Sequence, residues 1–154
     1  MNVLITGTSK GIGKALTLEF LRQGHEVFAL SRNNDAELQT FKNYYFQSID
    51  LTNFSKIEET VPHFIAGAKN IDLVILNAGV LNEIKDLKDT SIEEIKKVMD
   101  LNVWANKILL ETLFFTKKDI KQVIAISSGA SVSGARGWNA YSLSKATLNM
   151  LINL

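Results

Sequence analysis

Short, uninterrupted apolar runs alternate along this chain with stretches whose apolar residues recur at helical spacing. Val3-Leu4-Ile5, Val27-Phe28-Ala29-Leu30, Leu73-Val74-Ile75-Leu76 and Val123-Ile124-Ala125-Ile126 are continuously apolar, as strands buried on both faces are. Tyr44-Tyr45-Phe46-Gln47-Ser48-Ile49 adds another strand, third in chain order. Ile12, Ala15, Leu16 and Phe20 predict a helix from Ile12 to about Leu21, stopped near Gly24. Residues 36–42 read as a short helix, and residues 53–68 as a longer one interrupted by Pro62. Ser91 and Glu94 have the spacing of a capping box, heading a long helix that the pattern carries to Thr116. A Ser- and Gly-rich loop spans 127–139, and a last helix starts near Tyr141 and runs to the final residue. There is no internal repeat, low-complexity tract or linker. Strand–helix alternation throughout predicts one α/β domain over residues 1–154, a three-layer, doubly wound parallel sheet with right-handed crossovers.

Composition changes this picture little. The chain has 154 residues, 46% hydrophobic and 21% charged, enough for one sizeable core. Net charge is +1 with the two signs interleaved, which gives no electrostatic case for a nucleic acid or an anionic membrane surface. The apolar runs fall far short of the roughly 20 residues that span a bilayer, and the N-terminus lacks a signal-peptide pattern. No cysteine is present, which excludes disulfides and thiolate metal sites and fits a reducing compartment, so a cytoplasmic location is expected. His25 and His63 are isolated, and no metal is expected.

Ligands of such sheets bind outside the carboxyl ends of the strands, where the polar and glycine-rich residues of this chain collect. Thr6-Gly7-Thr8-Ser9-Lys10-Gly11-Ile12-Gly13 joins the first strand to the first helix. Glycines there admit a pyrophosphate to the positive end of a helix, although the Gly-x3-Gly-x-Gly spacing departs from Gly-x-Gly-x-x-Gly and a bare tight turn is the alternative. Ser31-Arg32 follows the second strand, where a carboxylate would bond a ribose 2′-hydroxyl. Arg32 and Lys10 would instead attract a 2′-phosphate, with Asp35 nearby opposing them; two solvated surface cations are the alternative. Tyr141 and Lys145 are four apart and stack on one helix face. A phenol in water has a pKa of about 10, and an adjacent ammonium favours its ionised form, which suits acid–base work. Alone, the pair reads equally as an ordinary surface tyrosine and lysine.

Taken together, Thr6-Gly7-x-x-x-Gly11-Ile12-Gly13, Asp50-Leu51-Thr52, Asn77-Ala78-Gly79, Asn102, Ser127-Ser128 and Tyr141-x-x-x-Lys145 resemble the short-chain dehydrogenase/reductase family in order and separation. The resemblance covers essentially the whole chain and implies a Rossmann fold binding a nicotinamide dinucleotide, for which Arg32 and Lys10 favour NADP(H) over NAD(H). The 13-residue step to Tyr141 selects Ser128 over Ser127. It implies that Tyr141 protonates a carbonyl oxygen, or deprotonates an alcohol in the reverse direction. Lys145 would support Tyr141 and bond the nicotinamide ribose, Ser128 would hold the substrate oxygen, and Asn102 a water that feeds protons to the lysine. The implied cofactor positions are Gly7, Ser9, Lys10, Gly11, Ile12, Gly13, Ser31, Arg32, Asp50 (at the adenine), Leu51, Asn77, Ala78 and Gly79, with Tyr141 and Lys145.

The resemblance further implies a small-molecule carbonyl or alcohol substrate and a homodimer or homotetramer. Leu109, Leu110, Leu113, Phe114 and Phe115 are expected in the core or a helix-paired interface, Trp104 packed on its helix, and Trp138 as a pocket wall or loop anchor. Family members usually continue with a sixth strand, a Pro-Gly turn, a helical lid and often a seventh strand. Those parts do not follow Leu154 here, so a fragment is expected, with a nucleotide-binding or oligomer-forming module lacking useful turnover as the alternative reading.

Overall fold

The structure, a computed structural model, describes residues 1–154. Five strands pair in parallel in the order β3-β2-β1-β4-β5, where β1 is Asn2–Thr6, β2 Glu26–Ser31, β3 Tyr44–Ser48, β4 Leu73–Leu76 and β5 Val123–Ala125. The chain winds outward from β1 to β3, then crosses back to place β4 on the other side of β1, which opens a crevice at the carboxyl ends of β1 and β4. The helices are α1 Gly11–Arg22, α2 Phe54–Phe64, α3 Ile92–Met99, α4 Ala105–Phe115 and α5 Asn139–Asn153. None is long and apolar enough to cross a membrane.

The continuous apolar strands divide their side chains between two cores by the two-residue repeat of a strand. Leu4, Phe28, Leu30, Val74 and Leu76 join Ile57, Val61 and Ile65 of the α2 segment and Ala105, Leu109 and Leu113 of α4. Val3, Ile5, Val27, Leu73 and Ile75 face the other way, onto Leu21 of α1 and Leu38, with Leu16 and Phe20 partly buried beside them. Both faces are covered along β1, β2 and β4, as their unbroken apolar runs require, whereas β5, expected to be buried on both faces, is only partly covered at the sheet edge.

Four further sequence expectations are corrected. On α1 the buried line is Gly13, Thr17 and Leu21, whereas Ile12 and Ala15 are exposed. The small residues win because this end of the helix lies against the β1 loop, where a larger side chain has no room. Residues 36–42 contain only a 3₁₀ turn at Leu38–Thr40, since the Asp35 carboxylate takes the Glu37 and Leu38 N–H groups and Phe41 is already extended. The helix expected over 53–68 stops at Phe64, two residues past Pro62, and the Ile65 N–H closes it on the Val61 carbonyl at 3.1 Å. Lys118 Nζ then bonds the Ala66 and Ala68 carbonyls at 3.3 and 2.6 Å. Finally, the long helix over 91–116 is interrupted at Asp100–Trp104 by a π turn, which buries Asn102 and Val103.

Candidate active site

A cleft of about 690 Å³ opens at the carboxyl ends of the strands and runs from the β1–α1 loop past β2 and β4 to α5. Its floor at β1 is tightly built. A Cβ on Gly13 would lie 2.1 Å from the Gly7 carbonyl oxygen and 2.4 Å from Asn77 Nδ2, so only glycine lets α1 start this close to the loop. Asn77 Nδ2 donates to the Thr6 and Gly7 carbonyls at 2.9 and 3.0 Å, while the buried Thr6 hydroxyl accepts from the Asn77 and Ala78 N–H groups. These bonds clamp the end of β4 to the end of β1. Asn77 therefore braces the loop through its Nδ2. Ser9, Lys10, Gly11 and Ile12 line the cleft beside the uncapped start of α1.

Arg32, Asn33 and Asn34 line the far end, after β2. Neither Arg32 nor Lys10 has an acidic partner, whereas Asp35, which opposed a phosphate here on sequence grounds, is drawn away. Its carboxylate pairs with Lys14 Nζ at 2.9 Å, and this hydrogen bond holds it below its ordinary range. Lys14 also meets Glu37 at 3.1 Å. What is left in the cleft is positive charge. The Asp50 carboxylate accepts from the Thr52 N–H at 2.9 Å and hydroxyl at 2.8 Å, and these bonds, with a smaller contribution from Arg32, lower its pKa. Its neighbours Ile49 and Leu51 line the cleft, and Asp50 does not.

At the β4–α5 end stand Tyr141 and Lys145, one helical turn apart on α5. Lys145 is 4% exposed, and its Nζ donates to the Ile126 carbonyl at 2.6 Å and lies 5.7 Å from the Tyr141 ring centroid. Burial pushes its pKa down from 10.5. Tyr141 is fixed from outside α5: its N–H donates to Asn82 Oδ1 at 3.1 Å, and the Trp138 indole meets its ring edge-on at 5.8 Å. Trp138 is thus an anchor against Tyr141 and is not part of the cleft lining.

The π turn brings Asn102 under the cleft. Its Oδ1 accepts from the Val80 N–H at 2.8 Å, and its Nδ2 donates to the Val80 carbonyl at 3.0 Å and Ser144 Oγ at 2.9 Å. The backbone carbonyl of Asn102 accepts from Asn106 Nδ2 at 2.8 Å. Asn102 accordingly fixes the loop after β4, with its side chain fully engaged. Ser127 lines the cleft, and Ser128 lies one residue beyond, its hydroxyl accepting from the Ala130 N–H at 3.2 Å.

Of the residues singled out in the sequence, the cleft gathers Gly7, Ser9, Lys10, Gly11, Ile12, Gly13, Ser31, Arg32, Leu51, Asn77, Ala78, Gly79, Tyr141 and Lys145. Asp50, Asn102 and Ser128 lie outside its lining. The sequence reading missed Asn34, Val80, Leu81, Leu101 and Ile126 on the cleft wall, and Asn82 and Ser144 behind it. All but Asn82 lie within two residues of a selected one; nothing in the sequence signalled Asn82.

Comparison with known proteins points the same way. The sequence profile described as short chain dehydrogenase matches residues 1–154. The chain is 37% identical to benzil reductase ((S)-benzoin forming) of Bacillus subtilis, over 96% of this chain and 63% of the relative. It is 34% identical to an NADPH-dependent pterin aldehyde reductase of Arabidopsis thaliana, over 93% of this chain and 62% of the relative. The crystal structure of a short chain dehydrogenase family protein from Francisella tularensis superposes with a TM-score of 0.83 at 31% identity, covering 97% of this chain and 60% of that one. The chain thus spans less than two thirds of the length of each.

Proposed function

This chain belongs to the short-chain dehydrogenase family, and on that premise we propose that it carries the cofactor site and the proton-transferring group of an NADP(H)-dependent reductase of small carbonyl compounds, or of the reverse alcohol oxidation. The observation that carries the reading is the single cleft that unites a glycine-built loop, two unpaired cations and the Tyr141–Lys145 pair. The residues fit a dinucleotide. A phosphate can approach the loop beside Gly11, where a Cβ would meet nothing within 4 Å, and Lys10 and Arg32 lack acidic partners. Arg32 and Lys10 would hold a 2′-phosphate, Ile49 and Leu51 would offer apolar wall to the adenine, and Lys145 has N–H donors left for the nicotinamide ribose. The chemistry supplied by a bound nicotinamide is hydride transfer to or from the substrate carbon.

The rest is work for the chain's own groups. Tyr141, oriented by Asn82 and Trp138, donates its phenolic proton to the substrate oxygen in reduction and takes it back in oxidation. The Lys145 ammonium, held on the Ile126 carbonyl, stabilises the phenolate left behind. Ser128 donates a hydrogen bond to the same substrate oxygen as charge develops on it. Support for NADP over NAD comes from the cationic end of the cleft and from the name of the Arabidopsis relative. Tyr141→Phe is expected to lower kcat by about 100-fold or more, the usual worth of a positioned proton donor, while NADPH titration gives a nearly unchanged Kd. Activity retained within a few fold would remove Tyr141 from this role.

A further inference from the structure

Two serines end β5, and the hydrogen bonds around them leave only one with a proton to give. The polarity follows from a single fixed point. The Ser128 carbonyl can only accept, so the Ser131 hydroxyl, 2.6 Å away, donates to it. Ser131 Oγ must then accept from Asn149, 2.9 Å away, which places Asn149 Nδ2 toward Ser131 and its Oδ1 toward Ser127. An amide oxygen only accepts, so at 2.6 Å the Ser127 hydroxyl donates to Asn149. The Ser127 proton is therefore committed, although Ser127 lines the cleft. Ser128 is in the opposite state. Its hydroxyl accepts from the Ala130 N–H at 3.2 Å, and its own proton has no partner. Asn149 lies four residues past Lys145 on α5, so the helix that carries Tyr141 and Lys145 also sets this network.

We propose that Asn149 is a positioning residue that selects the proton donor at the end of β5, holding the Ser127 proton away from the cleft and leaving that of Ser128 free for a substrate oxygen. The role of that oxygen rests on the carbonyl-reductase reading; the direction of each hydrogen bond does not.

The kinetic test compares four variants with the parent by kcat and KM, with NADPH binding as the check on folding. Ser128→Ala is expected to lower kcat by about 100-fold, as loss of one donor to a developing oxyanion does, and Ser127→Ala at least tenfold less. In the Ser128→Ala background, Asn149→Ala frees the Ser127 proton and is expected to recover about tenfold in kcat with KM little changed. Asn149→Asp keeps the acceptor for Ser127, and in the same background it is expected to recover nothing. A mere structural role would make the two double variants alike, and that result overturns the proposal, as does Ser127→Ala costing as much as Ser128→Ala. Neutron diffraction of the deuterated chain reads the same assignment without turnover. A deuteron on Ser127 directed at Asn149 and one on Ser131 directed at the Ser128 carbonyl are expected; a Ser127 deuteron pointing into the cleft refutes the assignment. With the expected deuterons but no carbonyl reduction by the parent chain, the functional reading fails and the selection of the free proton stands.

Discussion

Lys145 is the residue whose placement is hardest on the fold. It is an ammonium 4% exposed, with one hydrogen bond, to the Ile126 carbonyl, and no carboxylate to pair with. Burial lowers its pKa from 10.5, so the folded chain releases this proton before the unfolded one does. Where the unfolded state binds more protons, stability rises with pH; the penalty is fully present below the lowered folded value and fades as pH climbs to 10.5. Urea midpoints measured across that range should rise more steeply for the parent than for Lys145→Met, and parallel curves would show that the ammonium carries no such penalty. Arg32 makes a second residue-level prediction. Charge-assisted hydrogen bonds contribute roughly 1.5–3 kcal/mol, so Arg32→Ala should weaken NADPH binding by about tenfold or more and leave NADH within about threefold. Equal losses for both cofactors in fluorescence titration would place Arg32 away from the 2′ position. That Tyr141, Lys145 and Arg32 line one cleft was legible because each stands, by type and local spacing, just after a strand or on one helix face. Asn82 and Ser144 were not, since the bonds that give them meaning, to Tyr141 and Asn102, join positions 59 and 42 residues apart.

At the scale of elements, the apolar runs located β1, β2 and β4 because a strand buried on both faces has little other composition available, whereas β3 and β5 lie at the sheet edges and are only partly buried. What they could not locate was where a regular element bends. The π turn at Asp100–Trp104 inserts into an amphipathic pattern that reads as unbroken, and its signal is only a buried polar residue, Asn102, satisfied by a peptide 22 positions away. Likewise the buried line of α1 begins at Gly13, where contact with the β1 loop and not hydrophobicity decides, and ends at Leu21 in the apolar core. That contact makes Gly13→Ala a sharp test: a Cβ 2.1 Å from the Gly7 carbonyl forces loop and helix apart. Overpacking of this kind costs about 1–3 kcal/mol, so the denaturation midpoint should fall and NADPH affinity with it. A fully stable variant that binds normally would mean that the loop yields freely. The start of α3 is an electrostatic matter. Ser91 and Glu94 form the reciprocal cap, and Lys85 Nζ lies 2.5 Å from Glu94, bringing its pKa down from 4.5 to about 2. A depressed carboxylate gives stability that is complete above its unfolded pKa and lost as pH falls through the folded one. Thermal midpoints should thus fall as pH drops from about 4.5 toward 2, with a contribution that Glu94→Gln lacks, and because these groups are partly exposed, salt should shrink the difference. An identical acid profile for both chains would remove the cap from the acid response.

For the whole molecule the question is what covers its exposed apolar surface. Leu109 and Leu113 are completely buried in the core, yet on the same helix Phe114 is 60% and Phe115 78% exposed. Trp104, 43% exposed, stands three turns before Phe115 on the same face, with the Lys107–Glu111 ion pair between them. An aromatic at each end of an ion-paired stripe is self-complementary under a two-fold axis. A second copy laid antiparallel would set each Trp104 against the partner's Phe115 and each Lys107 near the partner's Glu111. Two large aromatics bury about 150–250 Å² each, short of the roughly 800 Å² per partner of a stable interface, so the flanking surface must join in. β5, one of the two edge strands of this five-stranded sheet, offers a rival surface, with Ile124 39% exposed. The two make different forecasts. If the α4 stripe pairs, Phe115→Asp drives the chain to monomer in light scattering while Ile124→Lys leaves the assembly intact, because a buried carboxylate without a partner costs several kcal/mol. If edge pairing dominates, Ile124→Lys dissociates it and Phe115→Asp does not. We expect the first outcome: the stripe matches itself in charge and in the placing of its aromatics, whereas β5 presents only three residues of ladder.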